Sequence, residues 1–357
     1  MIVAMPGRPT IYDVAQEAGV AASTVSRAYA KPGRVHADTA QRIFEAAERL
    51  GYRAAPAHAR PAGERLKAIG LVVADVTNPF YGDIIKGAYE AAREAGYQLI
   101  LTHTNESPEV ERETIEHELA QVDGIVIASS RMTDSALRMV AKQKAVVLLN
   151  RMIPEARCVL NDNDRGIRLA VEHLAALGHD RILYVSGPDA SWSDGVRWRA
   201  LRDAVADLGI EARRVGPNEP TVLAGLSAAR RVAQLAATAV MAYNDQLAIG
   251  IVKGLRKLEV RVPEEASVVG FDDITYAELI EPQLTTVASP LYRMGLTGVQ
   301  NCIAIARGAV PKGPPLVLPM RLVVRQSTGQ RSRNSISPAR GTTRPSKPAT
   351  SIVPGSR

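Results

Sequence analysis

The chain of 357 residues is 46% hydrophobic with a formal net charge of +7, enough apolar material for a large buried core spread over two or three domains. No apolar run approaches the roughly 18 residues of a membrane span, and the opening "MIVAMPGRPT" lacks the apolar stretch and cleavage site of a secretory signal, so a cytoplasmic location away from any membrane is expected. Cys158 and Cys302 stand far apart and outside any metal-ligand spacing, which argues against a disulfide framework or zinc site and for two buried thiols.

Charge is uneven along the chain. Residues 330–357 hold six Lys/Arg and no acid, residues 1–67 hold ten Lys/Arg against six Asp/Glu, and the stretch between is mildly acidic. A basic head suggests that a polyanionic partner meets the N-terminus.

In chain order, Thr10 and Asp13 have the spacing of a capping box, opening a helix to about Ala18 with Val14, Ala15 and Ala18 on one face. Gly19 supplies a turn. A second helix over roughly Ala22–Tyr29 has Val25 as its apolar anchor and leaves Ala22, Ser23, Ser26 and Arg27 toward solvent. A third, about Asp38–Leu50, places Ile43, Phe44, Ala47 and Leu50 at core spacing and stops at Gly51. Two helices joined by a glycine turn suit a DNA reader and an ordinary surface pair alike.

Residues 53–68, "RAAPAHARPAGERLKA", read as a linker. From Ile69 the pattern changes: apolar runs "IGLVVAD", "YQLILTH", "GIVIAS", "AVVLLN", "RILYVSG", "AVMAYN" and "ASVVGFD" alternate with helix-length segments. Near-continuous Val/Ile/Leu strands separated by helices predict a doubly wound parallel α/β body over 69–329. Residues 330–357, rich in Ser, Pro, Arg and Gly, offer little to bury and read as a disordered basic tail.

The order of residues in the head is more specific than its helix spacing. "TIYDVAQEAGVAASTVSRAYAKPGRV" followed by "RIFEAAERLGY" resembles the N-terminal helix-turn-helix domain of the LacI/GalR family of transcriptional regulators, and the likeness continues to "LVVRQST" at 322–328. The resemblance implies a homodimer on double-stranded operator DNA, with the second helix in the major groove. Ala22, Ser23 and Arg27 then face base edges, while Thr10, Tyr12, Thr24 and Ser26 contact phosphate or sugar. Arg27 is the strongest reader, because a guanidinium pairs with both guanine acceptors.

Three departures from the family pattern weaken the head. Ala21 replaces the Ser that caps the recognition helix, and Ala30 and His36 stand where Asn and Ser are usual. In the linker, the family's minor-groove leucine falls on Pro61, or on Ala62 after a one-residue slip, which predicts weak operator bending.

For the body the resemblance implies the two-lobed fold of periplasmic binding proteins, with three crossovers and an effector crevice at the carboxyl ends of the strands. The family's crevice positions map onto Asn78, Phe80, Asn150, Arg151, Asp162, Arg197, Asn244 and Asp272. Arg197, Asp272 and Asn244 suit the hydroxyls of a sugar, Phe80 can stack on a sugar face, and Arg151, if turned inward, would favour a sugar acid. Asp162 is also suited to holding loop geometry at a crossover. No aromatic is evident in the opposite lobe near "GPNEPTV".

The alternatives are a sugar-binding protein without a regulatory role, against which the added head argues, and an enzyme. There is no phosphate-binding GxxxxGK[ST] and no GxSxG. "HELAQ" at 117–121 lacks the second histidine of a zinc protease, and "DNDRG" lacks the oxygen ligands of a calcium loop, so neither metal nor cofactor is expected.

Overall fold

The computed structural model describes residues 9–30, 35–50, 52, 66–311 and 313–331. The linker positions Pro61 and Ala62 and the tail beyond Arg331 lie outside the described residues, so the expectations about wedge and tail are not addressed by it. The chain divides into two compact units with the boundary between Arg65 and Leu66.

The first unit holds α1 (Ile11–Ala18), α2 (Ala22–Ala30) and α3 (Ala37–Leu50). The capping box at Thr10 is complete: its backbone N–H donates to Asp13 Oδ2 at 2.6 Å and its hydroxyl accepts from the Asp13 N–H at 3.4 Å. Those bonds to Thr10 hold the Asp13 carboxyl below its ordinary range. Gly19 is left-handed at φ 65° and returns its N–H to Ala15 and Gln16, ending α1 where a Cβ would be strained. Val14, Val25, Ile43 and Ala47 form the core with Ala28 and Ala46. Phe44, expected inside, is 40% exposed. Ile43, Ala46, Ala47 and Leu50 already make the i, i+3, i+4, i+7 stripe, and Phe44 falls off it.

In the second unit two six-stranded sheets form. The first contains β1 (Ala68–Val73), β2 (Gln98–His103), β3 (Gly124–Ala128), β4 (Ala145–Leu149), β5 (Arg157–Asn161) and β11 (Leu316–Leu318), in the order β11-β5-β4-β3-β1-β2, all parallel. The second contains β6 (Arg181–Val185), β7 (Glu211–Val215), β8 (Ala239–Ala242), β9 (Ser267–Asp272), β10 (Thr285–Ala288) and β12 (Arg321–Val323), in the order β12-β10-β9-β8-β6-β7, with β12 antiparallel to β10.

The chain passes between sheets three times: after β5, after β10 and after β11. Each sheet is the centre of one lobe. In the first, α4 (Phe80–Glu94) packs on α12 (Leu291–Ala306), with α5 (Pro108–Glu118) and α6 (Asp134–Ala141) also contacting the sheet; in the second, α9 (Val222–Gln234) packs on α10 (Asp245–Lys257), and α7 (Asn163–Ala176) on α8 (Trp192–Leu208). In both sheets the strand order reverses beside the first strand, which opens a crevice at the strands' carboxyl ends.

Both large helix pairs cross in backbone contact. A Cβ on Gly250 would lie 2.2 Å from the Val222 carbonyl oxygen, and one on Gly295 2.0 Å from that of Ile84. Gly250→Ala is therefore expected to force α9 and α10 apart, at about 1–3 kcal/mol. Urea unfolding reads this directly, and an unchanged midpoint would mean that the crossing relaxes freely.

Candidate functional site

On the head, α2 buries Val25 and Ala28 and exposes Ser23, Ser26 and Arg27. Ala22 and Thr24 are half-buried, and Tyr12 on α1 is 73% exposed. Ala21 contributes only its carbonyl, which accepts from Thr24 and Val25 N–H at 2.8 and 3.2 Å. The helix thus presents one long cation, Arg27, among small side chains, a shape that lets its axis approach a groove.

In the body, polar residues just beyond the buried strands converge between the lobes. Asn78 follows β1, and its Oδ1 accepts from the Phe80 N–H at 3.1 Å, starting α4. The Phe80 ring meets Tyr81 edge-on, with centroids 4.9 Å apart. Asn150 follows β4 with left-handed φ 55°, and its buried Oδ1 makes no hydrogen bond to any described residue. From the other lobe, Asn244 caps α10, its Oδ1 accepting from Leu247 N–H at 3.0 Å and its Nδ2 donating to the Pro220 carbonyl at 3.2 Å.

Arg197 on α8 is 3% exposed. Its Nε donates to Asn163 Oδ1 at 3.0 Å and its Nη1 to the Tyr243 carbonyl at 2.5 Å, while Cζ lies 3.5 Å from the Phe271 ring centroid. Its Nη2 is 3.8 Å from Asp272 Oδ1, beyond hydrogen-bond reach. Burial, reinforced by the nearby Asp245 carboxylate and opposed by Arg197, raises the Asp272 carboxyl well above its ordinary range.

Six of the eight residues expected in the crevice, Asn78, Phe80, Asn150, Arg197, Asn244 and Asp272, line one narrow cleft with a free volume of only about 20 Å³. Arg151 does not: it turns toward the start of α6, with Nη2 2.5 Å from Asp134 Oδ1 and Nη1 donating to the Met152 carbonyl at 3.1 Å. Asp162 does not line it either. Its side chain caps α7 through the Arg165 N–H at 3.1 Å, and its own N–H donates to Leu318 O at 2.9 Å, fastening two of the crossovers.

Arg131 lines the cleft where Arg151 does not. It is 6% exposed, and its Nε donates to Glu106 Oε2 at 2.6 Å. Tyr243 adds the second-lobe aromatic that the sequence did not suggest, with its hydroxyl 3.0 Å from Ser191 Oγ. Each lobe thus contributes one buried arginine facing one carboxylate. That balance suits a neutral polyhydroxylated ligand, and the Arg151-based expectation of a sugar acid loses its footing. Outward, the crevice meets a wider mouth of about 820 Å³ between residues 75–77 and 105–107 of one lobe and 188–189 and 217–221 of the other.

The model of bacterial regulatory proteins of the lacI family matches residues 10–54, and that of a periplasmic binding protein-like domain matches residues 171–328. The transcriptional regulator DegA of Bacillus subtilis (strain 168) is 32% identical over 331 residues, covering 90% of this chain and 98% of DegA. The chain belongs to the lacI family of bacterial regulatory proteins. Among solved structures, the lac repressor dimer bound to operator and an anti-inducer superposes with a TM-score of 0.69 at 26% identity, covering 90% of this chain and 99% of that one. A lacI-family regulator from Enterococcus faecium with bound ribose gives 0.67 at 27%, covering 74% and 100%.

This regulator carries no cluster of three or more potential metal ligands, and no helix long and apolar enough to cross a membrane, among its described residues. One acid behind the crevice predicts a pH dependence. Asp245 is fully buried, and its carboxyl is pushed from 3.8 up to about 7, mainly by burial and partly by the nearby Asp273. The folded state holds that proton up to near neutrality, whereas the unfolded chain releases it near 3.8. Stability therefore falls as pH rises across this window, by at most about 1.4 kcal/mol per pH unit, and levels off above it. Asp272 adds in the same sense. Urea midpoints from pH 4 to 8 check this, and Asp245→Asn is expected to flatten the slope.

Proposed function

We propose that this ligand-responsive DNA-binding regulator is a homodimeric, cytoplasmic repressor whose operator affinity is set by a neutral sugar held in the crevice. The head, residues 10–52, reads the operator with Arg27, Ser23 and Ala22 toward base edges and Thr10, Tyr12, Thr24 and Ser26 toward the backbone. The body, residues 69–329, holds the effector through Asn78, Phe80, Arg131, Asn150, Arg197, Asn244 and Asp272, and releases it chemically unchanged. The observation that carries this reading is the meeting of Asn150, Asn244 and the Arg197–Asp272 pair between two lobes. A ligand there touches both lobes, so its binding energy depends on their closure.

The test is fluorescence anisotropy of the full chain on an operator selected from random DNA, with and without D-ribose, D-galactose, cellobiose or D-glucuronate. A neutral sugar is expected to shift operator affinity by about 5–150-fold, the usual range of allosteric coupling. Operator affinity indifferent to every neutral sugar would overturn the effector half; a response to glucuronate alone would overturn the charge argument.

A further inference from the structure

We propose that Asp245 is a positioning residue of the effector crevice: its buried carboxyl group clamps the 272–274 turn and thereby aims Asp272 at the ligand. This rests on the crevice being the effector site. Asp245 is the first residue of α10, directly after Asn244, and is wholly buried. Its Oδ1 accepts from Thr286 Oγ1 on β10 at 2.6 Å, and its Oδ2 from the Ile274 N–H at 2.9 Å. Three elements therefore meet on one side chain.

The strand beneath makes room for it. A Cβ on Gly270 of β9 would lie 2.1 Å from Asp245 Oδ1. Glycine weakens a strand interior, so its presence here goes with the carboxyl group that occupies the missing side chain's space.

The turn it grips is strained. Asp272 and Asp273 both have positive φ, 117° and 62°, a region that non-glycine residues rarely enter without outside constraint. Asp273 is tied on its far side to Arg325 Nη2 at 2.8 Å. The Asp272 side chain has no such bond: its Oδ1 is buried without a hydrogen bond, with Arg197 Nη2 3.8 Å away. The direction of the Asp272 carboxyl is therefore a property of the backbone, which the Ser289 N–H holds at the Asp272 carbonyl (3.3 Å) and the Ile274 N–H donated to Asp245 holds on the other side, beside the crevice. An asparagine at 245 keeps an oxygen for the Ile274 amide and an NH₂ for Thr286; an alanine keeps neither.

The experiment uses the full chain and two readouts: calorimetric titration with D-ribose, D-galactose and cellobiose, and hydrogen exchange in the 272–276 segment. Asp245→Ala is expected to weaken the sugar that the wild type binds, and to speed exchange of the turn, each on the order of ten-fold, as loss of two buried hydrogen bonds implies. Asp245→Asn should restore both to within about two-fold, and Val269→Ala, a core truncation in β9, should lower the melting temperature without moving sugar affinity. Gly270→Ala, which displaces the carboxyl group, should reproduce Asp245→Ala and serves if that variant does not fold.

Unchanged sugar affinity in Asp245→Ala, or turn exchange equal to wild type in both it and Gly270→Ala, would overturn the proposal. So would a sugar affinity in Val269→Ala that falls as far as in Asp245→Ala, since a purely structural role would then suffice. A wild type that binds none of the three sugars would instead count against the effector reading, and the exchange result alone would then decide whether Asp245 holds the turn.

Discussion

Arg197→Ala is expected to abolish sugar binding and to lower the stability of the body by about 3–5 kcal/mol, the cost of stripping a buried charge of its partner. The guanidinium is buried among Asn163, Tyr243, Phe271 and Asp272, and at least two of its donors are engaged. Alanine leaves Asn163 Oδ1 and the Tyr243 carbonyl without their donor, and removes the one positive charge that opposes burial of the Asp272 carboxylate. Asp272 can relieve part of this cost by taking up a proton, so the loss should be larger at pH 8 than at pH 5. Urea unfolding at the two pH values checks both size and sign. A loss below about 1 kcal/mol at both would show that the crevice wall does not depend on this arginine. Operator binding by the head should persist in the variant but no longer respond to sugar.

The parallel body is legible in the sequence because β1, β3, β4, β8 and β9 are buried on both faces and so read as unbroken apolar runs. β7, "EARRV", leaves no such trace: it is an edge strand with no buried residue, its charged side chains pairing at the surface or, for Arg214, reaching back to the buried Asp194. β2 sits at the other sheet's edge and exposes 43% of Leu101 despite its apolar sequence. β11 and β12 are three residues each and exist only because the chain crosses back to each sheet after α12. Helix-turn-helix spacing alone does not mark a DNA reader, since small polar side chains on α2 suit any surface helix; the order of residue identities does.

The crevice follows the same logic. Asn78, Asn150, Asn244 and Asp272 stand out as polar residues a few positions or fewer beyond apolar strands, where an open α/β sheet binds its ligands. Arg151 shares that position in the sequence but not in space. The left-handed backbone of Asn150 turns the chain sharply, and the next side chain leaves toward Asp134. Arg131 obeys the strand-end rule too, three residues past β3, and "ASSR" was the signal that could have found it. Its partner Glu106 lies 25 residues earlier, on the loop after β2. Only the fold joins them, as only the fold joins Asp245 to Thr286 and Gly270.

Arg27→Ala is expected to flatten the regulator's choice among operator sequences while leaving sugar binding intact. The exposed face of α2 offers few side chains that can discriminate. Ala22 can at most touch a thymine methyl, and Ser23 pairs with donor or acceptor alike, whereas a guanidinium satisfies both guanine acceptors in one plane and discriminates by about 1–3 kcal/mol. That corresponds to roughly 5–150-fold between a cognate site and one with the contacted guanine replaced. Arg27 is exposed and no part of the buried Val25–Ile43 core, so its removal should not unfold the head. Arg27→Lys separates the two ways an arginine binds DNA. Both keep a cation for phosphate, so similar salt dependence is expected, but lysine is a point charge without the planar fork and should recover only part of the selectivity. Competition binding against operators varied one base pair at a time reads the result. Selectivity equal to wild type in Arg27→Ala would move base reading off this residue, and a steep loss of affinity on all sequences alike would make Arg27 a phosphate contact instead.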